Sequence, residues 1–149
     1  MPEQAVITGH CLCGAVSIRV SEPAGWVGVC HCRMCQRWSG GLWAAFPAEP
    51  VTVSVDGEVA IYPSSELAER GFCGTCGTSL WMRDREEGAT FHLMLGAFDE
   101  AKGWPLVSEI YVDEAYAAID LNGDHKKATA ETYRSKNPEV IGIGEDGNG

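Results

Sequence analysis

No apolar run in the chain approaches the roughly 18 residues that suggest a membrane-spanning helix. The first residues, Met1-Pro2-Glu3-Gln4, carry no basic segment leading into an apolar core, so neither a span nor a secretory leader is expected. Basic residues are scarce too: 11 Lys and Arg stand against 21 Asp and Glu, a net charge of −10. Such a surface repels a phosphate backbone at long range, which argues against a nucleic-acid partner. Internal repeats are absent and helix-period patterns are few. Also missing is the spread spacing of a disulfide framework. The seven cysteines are an odd number and fall into three close groups, 11/13, 30/32/35 and 73/76. In a reducing compartment such clusters bind metal rather than pairing with one another, and the expected location is cytoplasmic.

What is present is enough for one domain, since a chain of 149 residues buries about 70% of the surface that its unfolded form exposes. Val16, Ile18 and Val20 alternate with polar neighbours at the strand period. Further strands are expected from Leu42 to Phe46, ending at Pro47, from Leu80 to Arg83, from Phe91 to Leu95, and last from Ile110 to Val112. Val51, Val53 and Val55 precede Asp56-Gly57, and Val59 and Ile61 follow it, which predicts a hairpin turning at that dipeptide. After Cys35, two glycines leave room for no more than a turn of helix. The expected class is all-β, a small zinc-containing domain of short antiparallel strands over residues 1–137, with 138–149 a flexible, acidic, glycine-rich tail.

The densest chemistry lies in Cys30-His31-Cys32-Arg33-Met34-Cys35, three thiols in six positions. A tight backbone knuckle turns sulfurs at this spacing toward one point, as zinc at about 2.3 Å from each requires. Gly9-His10-Cys11-Leu12-Cys13-Gly14 offers two more thiols between glycines, and Cys73-Gly74-Thr75-Cys76-Gly77 is a well-specified knuckle. Seven thiolates suffice for one closed site of four and one open site of three, and spacing alone leaves open which four go together. His31 stands between two thiols, but alternation points its side chain away from the sulfurs, so it is read as a supporting residue. His10 and His92 are read as structural or exposed, and Trp38, Trp43 and Trp81 as core residues first and cleft walls second. Asp120-Leu121-Asn122-Gly123-Asp124 imitates a calcium loop, but His125 occupies the position of its required glycine, so a polar turn is expected.

Three motifs in this order, Gly9 to Val16, Cys30 to Cys35 and Arg70 to Gly77, together with Gly57-Glu58 and Tyr62-Pro63-Ser64-Ser65, resemble the glutathione-dependent formaldehyde-activating enzyme family. Its small β domain is likened to the Mss4 fold. The resemblance implies a structural zinc on Cys11, Cys13, Cys73 and Cys76 and an active-site zinc on Cys30, Cys32 and Cys35, two zincs per chain. It implies a carbon–sulfur lyase that takes a small thiol such as glutathione together with formaldehyde or another aldehyde, giving S-hydroxymethylglutathione. Arg33 or Arg37 would be the local counter-charge for an anionic tripeptide. A non-catalytic, zinc-stabilised binding module is the alternative, favoured if a fourth ligand closes the middle site. A thiol redox enzyme ranks last, because both zinc sites together claim every cysteine. Oligomeric state and the role of the chain beyond Asp113 are not specified by these motifs.

Overall fold

The computed structural model describes residues 6–138, and the expected tail lies outside them apart from Pro138. In chain order the strands are β1 (Ile7–His10), β2 (Ser17–Val20), β3 (Val27–Cys30), β4 (Trp43–Ala48), β5 (Val53–Asp56), β6 (Val59–Pro63), β7 (Ala68–Cys73), β8 (Ser79–Asp84), β9 (Phe91–Met94), β10 (Leu106–Ile110) and β11 (Lys126–Ala128). The helices are α1 (Arg33–Ser39) and α2 (Ala130–Lys136). Strands dominate, and the chain is all-β. No helix among the described residues is long and apolar enough to cross a membrane. The described residues divide into two compact units, 6–26 with Ala45–Trp104, and Val27–Ala44 with 105–138.

The first unit contains an antiparallel sheet in the order β1-β2-β5 and a second antiparallel run, β4-β9-β8-β7-β6. Alternation decides which faces turn inward. Ile18 and Val20 on β2 are buried while Arg19 between them is exposed, as a strand packed on one side demands. Phe46, Phe98, Leu80 and Leu93 join them in one apolar cluster. Phe46 meets Phe98 and Trp104 edge-on, with centroids 5.1 and 4.9 Å apart, the geometry that aromatic quadrupoles favour. Cys11 and Cys73 belong to the same cluster, so two of the thiols are part of the core.

The expected hairpin at Asp56-Gly57 does not form. β5 pairs with β2, whereas β6 pairs with β7, so the dipeptide hands the chain from one sheet to the other. Gly57 has φ of +109°, and a Cβ there would stand 2.1 Å from the carbonyl oxygen of Ala15. A glycine is therefore needed both for the left-handed turn and for the close passage. β4 also runs through Pro47, where a stop was expected, with Pro47 opposite His92 of β9.

In the second unit β10 lies between β3 and β11 and is parallel to both. This departs from the antiparallel expectation. Parallel neighbours require long connections, and 75 residues separate Cys30 from Leu106. The last strand is also displaced: Val112–Glu114 form a single 3-10 turn, and β11 follows later. Helix α1 starts earlier than expected and includes Cys35, because Cys32 at its N-cap accepts the Cys35 N–H on its sulfur. Gly40, with φ of 92°, closes α1 in the left-handed conformation. Thr129 caps α2 by accepting the Thr132 N–H, and Asp113 Oδ1 accepts the Ala130 N–H at 2.8 Å.

Candidate metal centres

The end of β7 and the loop after it meet the loop after β1, and four thiols come together there. The Sγ atoms of Cys11, Cys13, Cys73 and Cys76 lie within 4.8 Å of one another. Cys11 and Cys13 are 3.7 Å apart, Cys13 and Cys73 3.9 Å. Sulfurs at the corners of a tetrahedron about 2.3 Å from a central zinc stand about 3.8 Å apart, so these spacings fit a tetrahedral ion. Val16 N–H donates to Cys11 Sγ at 3.2 Å; Thr75 and Cys76 N–H groups donate to Cys73 Sγ at 3.3 and 3.4 Å. Such donors stabilise negative charge on sulfur and orient it. Thr78 adds a hydroxyl 3.1 Å from Cys76 Sγ and also accepts the Leu12 N–H.

The electrostatics of this group follow from crowding. The Thr78 hydroxyl and N–H bring the Cys76 thiol down to about 5. At Cys13 the Ala15 N–H pulls downward, but desolvation and the surrounding thiols outweigh it and push the value to about 11. Four thiols this close ionise together only around a cation.

The second group is local. Cys30 ends β3, Cys32 caps α1 and Cys35 lies in its first turn; their sulfurs are within 4.8 Å of one another. Cys32 N–H points to Cys30 Sγ at 3.5 Å and Cys35 N–H to Cys32 Sγ at 3.4 Å. The Cys32 and Cys35 sulfurs, together with burial, hold Cys30 well above the ordinary thiol range. Cys30 and Cys35 are buried and Cys32 is half-buried, so one member lies toward the surface. Among the described residues no histidine or carboxylate joins these three as a fourth ligand.

His31 is turned from the thiols. It is 1% exposed, and its Nε2 is 2.7 Å from Glu109 Oε1 on β10. The other oxygen of Glu109 is hydrogen-bonded to His125 Nε2. Burial pushes the Glu109 carboxyl upward, yet its hydrogen bonds to His125 and His31 outweigh this and hold it below the usual range. Sequence reasoning missed Glu109 and saw in His125 only a defect in a calcium loop. A single acid within an apolar strand, Ser108-Glu109-Ile110, was the available signal.

A cavity of about 350 Å³ opens beside α1, lined by Arg33, Gln36, Arg37, Glu114 and Tyr116. Gln36 Nε2 donates to the Glu114 carbonyl at 2.9 Å, fastening the helix to the 3-10 turn. Of the tryptophans, Trp43 and Trp81 are buried, with Trp81 edge-on to Phe91 in the core. His10 is exposed and His92 half-buried.

The fold has a solved counterpart. A crystal structure of a Rhodobacter sphaeroides protein, a structural-genomics target, superimposes with a TM-score of 0.52 at 23% identity, covering 68% of this chain and all of the other. In sequence, the chain is 38% identical over 84 residues to an uncharacterized lyase of Schizosaccharomyces pombe, covering 54% of this chain and 58% of that protein. It is 29% identical over 104 residues to a Halomonas elongata protein named provisionally as a glutathione-dependent formaldehyde-activating enzyme, covering 63% and 66%. The chain thus spans less than two thirds of either curated relative. Residues 6–114, which include all seven cysteines, match the family described as glutathione-dependent formaldehyde-activating enzyme, and the chain belongs to that family.

Proposed function

We propose that the protein is a zinc-dependent carbon–sulfur lyase that joins a small thiol to an aldehyde, most concretely glutathione to formaldehyde. The observation that carries this reading is the three-membered thiol group at the start of α1. Cys11, Cys13, Cys73 and Cys76 would hold a closed structural zinc, and Cys30, Cys32 and Cys35 a second one with a free position. When bound there, zinc supplies a coordination site at which a substrate thiol loses its proton at neutral pH.

The chain's own residues set the geometry of that site. Buried Cys30 and Cys35 anchor it from below, while half-buried Cys32 marks the side from which substrate enters. The His31 N–H donates to the Ile110 carbonyl at 3.0 Å, holding the knuckle to β10. In the reaction one carbon–sulfur bond forms, the carbonyl π bond breaks, and the proton lost by the thiol ends on the former carbonyl oxygen, giving S-hydroxymethylglutathione. The halves of the curated relative's name, glutathione and formaldehyde, support this choice of substrates. A reducing cytoplasm is the fitting compartment, since none of the seven thiols is in a disulfide.

Exchange NMR on glutathione with formaldehyde tests the reading, comparing the zinc-loaded protein, its Cys32→Ser variant and no protein. Interconversion faster only with the intact site is the expected result. Equal rates in all three samples, with two zincs per chain confirmed, would sink it and favour a non-catalytic binding module.

A further inference from the structure

We infer that His125 is a positioning residue for the three-thiol metal centre, acting on it through Glu109 and His31. This rests on the proposed zinc at Cys30, Cys32 and Cys35. The starting observation is what the two oxygens of Glu109 meet. One lies 2.7 Å from Nε2 of His31, inside the knuckle, and the other is hydrogen-bonded to Nε2 of His125, just ahead of β11. The side chains of His31, Glu109 and His125 are 1%, 7% and 3% exposed. A buried carboxylate with both oxygens engaged is held rigidly, and so are its partners.

His31 depends on that carboxylate. Its Nδ1 is buried without a hydrogen-bond partner, so among the described residues Glu109 is the ring's one polar tether. The His31 main chain is tied to the same strand, its N–H donating to the Ile110 carbonyl at 3.0 Å. Ring and main chain are thus both fixed to β10, and the peptide planes on either side of His31 carry Cys30 and Cys32. Ligands held in place before a metal binds lose less freedom on binding it, and retain it longer.

The far end of the network is shaped for His125. Gly123 has φ of +131°, and a Cβ there would stand 3.0 Å from His125 Nδ1, so the imidazole packs where only glycine leaves it room. The turn that imitates a calcium loop therefore has another use, which is to lay this ring against Glu109. β11 follows at once and pairs with β10, Lys127 opposite Glu109, which fixes the ring's level along the strand. His125 lies beyond residues 6–114 that match the family. The tether on the metal centre is thus supplied from outside the matched region.

Zinc release from the two-zinc protein to a chromogenic chelator tests this, with Cys32→Ser identifying the phase that belongs to the three-thiol centre. His125→Phe keeps a ring but no N–H, and should release that zinc about tenfold faster than the wild type, with the four-thiol zinc leaving at an unchanged rate. His125→Gln retains an N–H donor and should recover most of the difference. Gly123→Ala leaves all three network side chains in place but crowds the ring; it should shift the same phase in the same direction, and it decides the matter if His125→Phe fails to fold. Equal acceleration of both phases, or of neither, would overturn this inference and leave the proposed function standing. A wild-type protein that holds one zinc alone would overturn both.

Discussion

His31 Nε2 sits 2.7 Å from Glu109 Oε1, so the residue between two thiol ligands is anchored to β10 and not to the metal group. His125 holds the other oxygen of the same carboxylate. All three side chains are buried, and a buried carboxylate stripped of its partners, or partners stripped of it, is costly. Glu109→Ala should lower unfolding stability by about 3 kcal/mol, read from the urea midpoint of the zinc-loaded protein. Glu109→Gln, which keeps the shape and one acceptor, should lose less. Wild-type midpoints for both variants would mean that the network does not support the fold.

The two thiol groups should respond differently to loss of one sulfur. Cys73 belongs to the core cluster and to the four-thiol group. A structural zinc contributes an apparent 10 to 16 kcal/mol, about the size of a domain's whole net stability of about 5 to 15 kcal/mol. Cys73→Ser is expected to give unfolded or insoluble protein. Cys32→Ser should fold, carry about one zinc in place of two by elemental analysis, and be inactive. A soluble, cooperatively folding Cys73→Ser protein with full zinc content would refute the assignment.

Gly9 on β1 has no room for a side chain. A Cβ there would meet Phe98 Cε2 at 2.6 Å and the Ala97 carbonyl oxygen at 2.7 Å, and Phe98 is 2% exposed in the core. Gly9→Ala should cost about 1 to 3 kcal/mol through forced repacking. Gly96→Ala makes a control, since nothing lies within 4 Å of its added methyl; a shift under about 0.5 kcal/mol is expected. Thermal melts of both variants, side by side, give the comparison.

His92 on β9 titrates below its ordinary value because burial disfavours the charged ring, an effect that Asp84 only partly offsets. The unfolded chain therefore takes up this proton at a higher pH than the folded one. Its contribution to stability is present above the ordinary histidine value, about 6.5, and is lost as pH falls from there toward the lower folded value. Zinc-loaded His92→Gln should show a shallower fall in Tm between pH 7.5 and 5.5 than the wild type. Parallel curves would show that another group sets the acid limit.

Cysteine spacing determined the local knuckles, because ligands two or three residues apart are held within a few ångströms by the chain itself, whatever the rest of the fold does. The alternation of Ile18 and Val20 likewise determined which face of β2 turns inward. Spacing did not decide that Cys13 meets Cys73; that pairing, 60 residues apart in sequence, was implied by family resemblance and is made where the loop after β1 meets the end of β7, two strands of different sheets. Nor did local pattern distinguish a hairpin at Asp56-Gly57 from a passage between sheets, because both demand the same glycine, and only the competition of β2 and β7 for the flanking strands settles it. Glu109, His125 and the cavity wall of Glu114 and Tyr116 were invisible for the same reason. They act through neighbours that parallel pairing and a long crossover bring near, and no periodicity in the chain encodes such a meeting.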